Sequence, residues 1–209
     1  MSQDLLTDRV ALIMGGGQGI GAATAWALAG LGARLSLAAR SAQNIDAVTA
    51  SILQNGGEAI GGVADIADEE AVDSVVGATF KQFGRIDFVL NFAASTGTLG
   101  RPLWQIPTEE CRHTYDVNVA GPMNLARATI PIMVEQASGL LAFVSSPFGD
   151  RPVRGMGAYG SSRAAVNYLS MQLATELQGT GVASCLVYPG ITETPGLESF
   201  RAAFAQGGS

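Results

Sequence analysis

The chain has 209 residues, of which 47% are hydrophobic and 14% charged, and its formal net charge is −6. This length and apolar content suit a single domain with a core of its own and exclude a chain that is disordered throughout. The acidic balance, with eleven arginines, one lysine and no basic run, excludes the electrostatic footprint of a nucleic-acid binder or an anionic-membrane binder.

Short apolar runs alternate with segments of helical period along the chain. The predicted strands are residues 10–14, 35–39, 59–64, 86–90, 140–144 and 182–188. The predicted helices are residues 20–31, 41–55, 68–83, 107–136 and 158–177. Ser41 and Asp68 are suitable N-cap residues, and glycines close several of the helices. This alternation predicts right-handed crossovers and a doubly wound α/β domain over residues 1–209, with a parallel sheet covered by helices on both faces.

Cysteine usage and the amino terminus bear on the compartment. Cys111 and Cys185 are far apart, and His113 is the single histidine, so neither a disulfide framework nor a Cys/His metal site is predicted. Residues 1–4 are polar and acidic, and no apolar stretch approaches the roughly 20 residues of a membrane span. We therefore expect reduced thiols, a cytoplasmic location, no metal and no membrane partner.

The loop between the first strand and the first helix is rich in glycine. Residues 15–21 read Gly-Gly-Gly-Gln-Gly-Ile-Gly, and such a loop lets bare backbone N–H groups meet a phosphate at the positive end of a helix. Taken alone, the motif does not separate a dinucleotide site from an ordinary structural turn. The candidate cofactor contacts here are Gly15, Gly17, Gln18, Gly19, Ile20 and Gly21.

Further short motifs follow in chain order, at the ends of strands and helices. They are Asp65-Ile66, Asn91-Phe92-Ala93, Asn118, Ser145-Ser146, Tyr159 and Pro189-Gly190-Ile191-Thr192-Glu193-Thr194. Together with the glycine loop, their order and spacing resemble the short-chain dehydrogenase/reductase family in its single-domain form. The resemblance covers nearly the whole chain, from Val10 to about Pro195.

This resemblance implies a Rossmann-like sheet, with six strands in the order 3-2-1-4-5-6, that binds NAD(P) and serves a carbonyl reductase or alcohol dehydrogenase. It also implies that Asp65 bonds the adenine amino group and that Thr194 anchors the nicotinamide carboxamide. A turn-forming aspartate and a generic Pro-Gly turn are the structural alternatives. The implied cofactor contacts beyond the glycine loop are Asp65, Ile66, Asn91, Ala93, Tyr159, Arg163, Pro189, Gly190, Ile191 and Thr194.

Hydride transfer to a carbonyl builds negative charge on its oxygen, so the site needs an acid, a second donor and a nearby positive charge. Tyr159 is the predicted acid, and Ser146, thirteen residues earlier, is by resemblance the donor to the substrate oxygen. Asn118 resembles the family residue that holds a water behind the cation. Each residue also has a structural alternative. The ring of Tyr159 could simply pack in the core, and Asn118 could cap a helix. Ser146 could be an ordinary serine at a strand end, like its neighbour Ser145.

The positive charge comes from Arg163, four residues after Tyr159, where the family has lysine. A phenol ordinarily has a pKa of about 10, and a unit charge about 5 Å away at an effective dielectric near 20 is worth roughly 3 kcal/mol, which is the needed scale. A guanidinium keeps this charge but does not give up a proton, so a lysine-based relay is lost. Two hypotheses follow: a working oxidoreductase, or a nucleotide-binding regulatory protein with little turnover.

Cofactor choice depends on the end of the second strand. That segment reads Leu-Ala-Ala-Arg up to Arg40, with no acid to bind the adenosine ribose of NAD. Because Arg40 can pair with a 2′-phosphate, NADP is predicted in preference to NAD. A solvated surface arginine is the alternative.

Only fifteen residues follow Thr194, and residues 195–209 are predicted as a short remnant of the substrate-covering lid. Either the sheet has six strands, or residues 197–206 form a lone lid helix. The strand at 182–188 would then be an exposed apolar edge, which predicts a partner subunit or local fraying. By resemblance, the chain is a homodimer or homotetramer.

The substrate is predicted only as a small carbonyl compound or alcohol. Phe92, Trp104, Phe148 and Met156 are candidates for an apolar pocket, and each also suits the core. Neither a Gly-x-Ser-x-Gly elbow nor a Gly-x-x-x-x-Gly-Lys-Ser/Thr loop occurs, which disfavours a hydrolase.

Overall fold

A computed structural model describes residues 5–207, so the polar segment 1–4 and the last two residues of the predicted lid lie outside the described residues. Six parallel strands form one sheet in the order β3-β2-β1-β4-β5-β6, which confirms the predicted fold. The strands are β1 Val10–Met14, β2 Arg34–Ala39, β3 Ala59–Val63, β4 Phe88–Asn91, β5 Gly139–Val144 and β6 Val182–Val187. The helices are α1 Gly19–Ala29, α2 Ala42–Gln54, α3 Glu69–Phe83, α4 Thr108–Tyr115, α5 Gly121–Glu135, α6 Gly157–Glu176 and α7 Pro195–Gly207.

The sheet is buried on both faces, because successive side chains of a strand point to opposite sides. In β1, Leu12 packs into a core cluster with Phe143 of β5 and Leu125 of α5. Its neighbour Ile13 joins the other cluster, with Leu37 of β2 and residues of α2. In parallel register, Ile13 lies between Leu37 and Leu90. The carboxyl ends of β1, β4 and β5 therefore meet at one edge of the sheet.

The segment predicted to be helical over 107–136 is helical from Thr108 to Glu135, but it is not one regular α-helix. After α4 a π-helical turn, Asp116–Ala120, shifts the helix register before α5 begins. Gly121 lies so close to Ile66 that an added Cβ would be 2.7 Å from its Cγ2, and the Asn118 side chain is bonded to Ser95. Tertiary contacts on both sides of the turn thus hold it in this geometry, and helical period alone does not reveal them.

The fourth strand begins at Phe88 rather than at residue 86, because Asp87 anchors it instead of extending it. The Asp87 side chain is 3% exposed; its Oδ2 accepts from the Val10 amide at 2.9 Å, and its Oδ1 accepts from Arg9 at 2.7 Å and Arg85 at 2.6 Å. Burial opposes the charged carboxylate, but hydrogen bonds from Arg85, Val10 and Arg9 outweigh it, so the pKa of Asp87 lies below its usual value.

Replacing Asp87 with Asn is expected to lower the free energy of unfolding by about 2 kcal/mol at neutral pH, since charge-assisted hydrogen bonds are lost. Because the folded-state pKa is depressed, this stabilisation is complete above the unfolded value near 3.9 and is lost as pH falls through the lower folded value. Urea unfolding between pH 7 and pH 3 measures the difference. Asp73→Asn, on the exposed face of α3, is the control; equal stability of Asp87→Asn and wild type at pH 7 contradicts the prediction.

The carboxyl-terminal part of the chain combines both predicted alternatives, six strands and a helix after the sixth. β6 ends at Val187, one residue before the predicted end, and pairs with β5 in register from Val182 to Val187. Local fraying of this strand stays a prediction. The other edge of β6 has no neighbouring strand within residues 5–207, and a partner subunit there stays a prediction. The predicted helix 197–206 lies within α7.

Candidate active site

The glycine loop is closely packed at the carboxyl end of β1. Gly15 has φ +85°, and a Cβ added there would be 2.7 Å from the amide nitrogen of Ala93. A Cβ on Gly21 would collide with the carbonyl oxygen of Gly15. The first turn of α1, which begins at Gly19, has neither a side-chain cap nor an acidic residue. No side chain therefore competes for the N–H groups of this turn, and their contact with a phosphate stays a prediction.

The loop after β4 closes the other side of this turn. Asn91 is buried, and its Oδ1 accepts from the Ala93 amide at 3.0 Å. Ala94, the next residue of this loop, does not have a positive φ, so its methyl group causes no backbone strain. Ala93 therefore lies directly against Gly15, and Asn91 holds Ala93 through this hydrogen bond.

A second corner joins the glycine loop to the start of α2. A Cβ added at Gly17 would be 3.0 Å from Cβ of Asn44. The side-chain Nδ2 of Asn44 donates to Oε1 of Gln18 at 3.4 Å. Ser41 caps α2 by accepting from the Asn44 amide nitrogen at 3.3 Å. Arg40, just before Ser41, is exposed. Sequence reasoning missed Asn44, although its place three residues after an N-cap at the end of β2 was a usable signal.

Asp65 follows β3 and is half-buried. Its Oδ1 accepts from the Ala67 amide at 3.0 Å, which makes a local turn, while Ile66 is buried in the core beside Gly121. One carboxylate oxygen of Asp65 thus forms the turn, as the structural alternative expected. The other oxygen accepts no hydrogen bond within residues 5–207.

Tyr159 and Arg163 lie one helical turn apart on α6. The Arg163 Cζ is 5.0 Å from the centroid of the Tyr159 ring. The Arg163 side chain is buried, with 3% exposure, and its Nη1 donates to the Val144 carbonyl oxygen at 3.1 Å. Its Nε is buried and has no hydrogen-bond partner among residues 5–207. The guanidinium is thus fixed over the face of the ring rather than free in solvent.

The two serines after β5 have different environments. Ser145 donates to Oδ1 of Asn167 at 2.5 Å, which makes it part of the packing between β5 and α6. The Ser146 Oγ accepts a long hydrogen bond, 3.4 Å, from the amide of Phe148, whose ring meets Tyr159 edge-on at 6.4 Å. The structure therefore brings Ser146 next to the ring stack of Tyr159 and leaves its hydroxyl proton available.

Asn118 is fully buried and bridges two segments rather than capping a helix. Its Nδ2 donates to the Ser95 carbonyl oxygen at 2.7 Å and to the Ser162 hydroxyl at 2.9 Å. Ser162 in turn donates to the carbonyl oxygen of Tyr159 at 2.8 Å. Asn118 thus links the π-helical turn to the first turns of α6. Ser95 and Ser162 are partners that the sequence did not indicate, because no local pattern marks them.

α7 connects the glycine loop to Tyr159. The Cγ2 of Thr194 would be 3.4 Å from a Cβ on Gly19, and the Thr194 Oγ1 accepts from the Leu197 amide at 3.2 Å at the start of α7. Further along, Phe200 stacks on Phe148 at 6.0 Å and meets Tyr159 edge-on at 6.4 Å.

Not all of the motif after β6 takes part. Ile191 is 88% exposed, and a Cβ added at Gly190 would meet nothing within 4 Å. Pro189 is half-buried between them and β6. Thus Thr194 is the residue of this motif that the structure places against the glycine loop, while Ile191 has no contact there in the described chain.

The four apolar pocket candidates have different environments, although Phe148 and Met156 both lie within 4 Å of a Cβ added at Gly160. Met156 is buried, Phe92 packs against the core on the α1 and α2 side, and Trp104 is 85% exposed. Phe148 is the one that contacts Tyr159.

Residues 5–207 contain neither a candidate membrane span nor a candidate metal cluster. No helix there combines the length and apolar character needed to cross a bilayer. In the same residues, no group of three or more His, Cys, Asp and Glu side chains is placed to hold a metal ion. Cys111 and Cys185 are free thiols.

Comparison with known proteins agrees with this geometry. The sequence matches the family described as short chain dehydrogenase over residues 9–204. It is 35% identical over 199 residues to a 3-oxoacyl-(acyl-carrier-protein) reductase of Synechocystis sp., covering 94% of this chain and 79% of the relative. It is 34% identical over 195 residues to a levodione reductase of Leifsonia aquatica, covering 92% and 73%.

Solved structures give the same result. A crystal structure of levodione reductase superposes with a TM-score of 0.92 at 33% identity, covering 96% of this chain and 78% of that one. A metagenomic short-chain oxidoreductase in complex with NADP superposes with a TM-score of 0.85 at 34% identity, covering 90% and 85%. The chain therefore belongs to the short-chain dehydrogenase/reductase family, whose oxidoreductases bind NAD(P) and act on small-molecule substrates.

Proposed function

We propose that the protein is an NADP(H)-dependent oxidoreductase that interconverts a carbonyl compound and an alcohol by hydride transfer. The observation that supports this most is the position of the Arg163 guanidinium, 5.0 Å from the ring centroid of Tyr159, in a corner that α7 connects to the glycine loop. Carbonyl reduction with a dinucleotide requires an acid for the carbonyl oxygen and a fixed positive charge beside that acid. It also requires an open helix N-terminus for the diphosphate.

The residues present fit a dinucleotide. The uncapped first turn of α1 suits its diphosphate, and the buried Nε of Arg163, which has no partner within residues 5–207, suits a ribose hydroxyl. Thr194, next to Gly19, suits the nicotinamide end. When bound, this group supplies or accepts the hydride.

Side chains of the protein would transfer the proton and hydrogen-bond the substrate oxygen. In the reducing direction, the Tyr159 hydroxyl gives its proton to the carbonyl oxygen, and in the oxidising direction it takes a proton from the alcohol. The Ser146 hydroxyl donates a second hydrogen bond to that oxygen. Arg163 offsets the negative charge left on the phenol, while Phe148 and Phe200 cover the ring and exclude water.

A second candidate is a nucleotide-binding protein with little turnover. It is favoured by the hydrogen bond from Arg163 to the Val144 carbonyl oxygen, which fixes a group that does not release a proton. NADPH and NADH binding by fluorescence, followed by turnover of a panel of aldehydes and ketones, tests both candidates. Tight NADPH binding with oxidation by at least one carbonyl supports the oxidoreductase, and binding without turnover supports the second candidate.

Arg163→Lys is expected to raise kcat about tenfold, because an ammonium keeps the charge and restores a group that can pass a proton. The shorter side chain also leaves no buried Nε without a partner. Steady-state kinetics with a carbonyl from the panel measures the change, alongside the NADPH dissociation constant. A kcat at or below the wild-type value contradicts this prediction and shows that the guanidinium itself is the better group here.

Arg40→Gln is expected to weaken NADPH binding roughly tenfold while NADH binding stays unchanged, because only NADPH carries the 2′-phosphate that a guanidinium pairs with. Fluorescence titration with each nucleotide measures both constants. Arg127→Gln is the control, since Arg127 pairs with Glu69 between α5 and α3. Equal weakening of both nucleotides would show that Arg40 does not read the phosphate.

A further inference from the structure

The arginines of the described chain fall into two sets. Seven have a hydrogen-bond acceptor in the protein: Arg9, Arg34, Arg85, Arg112, Arg127, Arg163 and Arg201. Within residues 5–207, the other four are exposed and take part in no hydrogen bond or ion pair: Arg40, Arg101, Arg151 and Arg154. Arg40 stands at the proposed 2′-phosphate position, so three arginines remain without a role.

These three arginines, called here the mouth arginines (Arg101, Arg151 and Arg154), lie on two loops that touch. The Gly100 amide donates to the Gly155 carbonyl oxygen at 2.9 Å, and a Cβ added at Gly155 would be 2.8 Å from the Gly100 Cα. Arg101 follows the first glycine and Arg154 precedes the second. The backbone contact therefore brings these two arginines close together.

The same loops border the catalytic corner. The loop that carries Arg151 and Arg154 begins after Ser146 and ends at α6, whose first turn holds Tyr159. Its Phe148 contacts the Tyr159 ring. The other loop packs on the start of α6, where a Cβ at Gly157 would be 2.8 Å from Leu103. The two segments that carry the mouth arginines therefore both pack against the first turn of α6, which holds Tyr159.

Within residues 5–207, no acidic side chain forms an ion pair with these three arginines, and the single carboxylate next to them in sequence leaves the group net positive. Asp150 is the adjacent carboxylate, and its Oδ1 already accepts from Asn167 at 2.9 Å and from the Tyr188 hydroxyl at 3.2 Å. Like charges close together repel each other, so a bound anion would stabilise them. Although the chain has a net charge of −6, the electrostatic potential around these arginines is positive and attracts anions.

We infer that the mouth arginines bind an anionic oxygen group, a carboxylate or a phosphate ester, on the carbonyl substrate. A guanidinium fork matches either group with two parallel hydrogen bonds. This inference rests on the proposed function, because it names the class of substrate that the same site accepts. It makes Arg101 and Arg154 specificity-determining residues, with Arg151 adding charge.

The kinetic test compares 4-carboxybenzaldehyde with its uncharged methyl ester, methyl 4-formylbenzoate, at saturating NADPH. Wild type is expected to prefer the acid in kcat/KM, and Arg101→Gln/Arg154→Gln is expected to lose at least about tenfold for the acid with little change for the ester. The preference should also fall with added salt, since exposed charges are screened. Arg112→Gln, whose arginine pairs with Glu109 on the surface of α4, is the matched control and should change neither substrate.

A binding test separates this inference from the proposed reaction. Calorimetry with benzoate, phenyl phosphate and neutral benzyl alcohol is run on the NADPH complex of wild type and of the double variant. Binding of benzoate or phenyl phosphate that is lost in the variant supports the anion site even where no aldehyde is reduced, and the tighter of the two identifies the group. Reduction of both aldehydes with equal kcat/KM, together with no binding of either anion, overturns the inference while leaving the reaction intact.

Discussion

Tyr159→Phe is expected to lower kcat by roughly a thousandfold or more, because the general acid is removed from the reaction. NADPH affinity should stay near the wild-type value. The substitution keeps the ring, and the ring makes the contacts with Phe148, Phe200 and Arg163. Single-turnover oxidation of NADPH with a carbonyl substrate measures the chemical step, and fluorescence titration measures nucleotide binding.

Tyr168→Phe is the matched control for this substitution. Tyr168 lies on the same helix but is 66% exposed, so removal of its hydroxyl should leave turnover unchanged. If Tyr159→Phe turned over as fast as wild type, the phenol would not be the acid, and the role proposed for Arg163 beside it would fail as well.

Gly21→Ala is expected to abolish measurable nucleotide binding and to lower the free energy of unfolding by about 1–3 kcal/mol, the usual cost of forcing a methyl into a closely packed position. The added Cβ would collide with the Gly15 carbonyl oxygen, which is backbone and has no flexible end to move aside. The loop between β1 and α1 must therefore open. Because Gly15 lies against Ala93 after β4, movement of the glycine loop would also displace the loop that follows β4 on the other side of the cofactor site.

Gly77→Ala provides the comparison that isolates this clash. Gly77 is an exposed glycine inside α3, and an added Cβ there meets nothing within 4 Å. This variant should bind NADPH normally and gain roughly 0.5–1 kcal/mol of stability, since alanine has the higher helix propensity. Urea unfolding measures the stability of each variant, and NADPH titration measures the dissociation constant of each. Normal nucleotide binding by Gly21→Ala would show that the loop tolerates the methyl and that its close packing is not what the cofactor needs.

Much of the fold could be predicted from local patterns. Each strand is a short apolar run bounded by polar or glycine residues, and Ser41 and Asp68 accept hydrogen bonds from the first turns of α2 and α3, as N-cap residues do. The π-helical turn between α4 and α5 could not be predicted in this way. It depends on Ile66 and Ser95, which are distant in sequence from Gly121 and Asn118.

The candidate site divides in the same manner. The proximity of Tyr159 and Arg163 follows from their spacing of four residues on one helix, because such residues share a helix face. Spacing from Tyr159 favours Ser146 over Ser145, but only the structure shows that Ser145 is hydrogen-bonded to Asn167 on α6.

The amino-acid sequence by itself determined the order of strands and helices, the glycine turn and the pairing of phenol with guanidinium, because these depend on periodicity and on neighbours within one turn. Only the tertiary structure decided that Thr194 lies against Gly19 and that the loops carrying Arg101 and Arg154 meet at Gly100 and Gly155. These contacts join segments distant in sequence. Their geometry arises from how the sheet and its covering helices pack, which no local pattern of residues encodes.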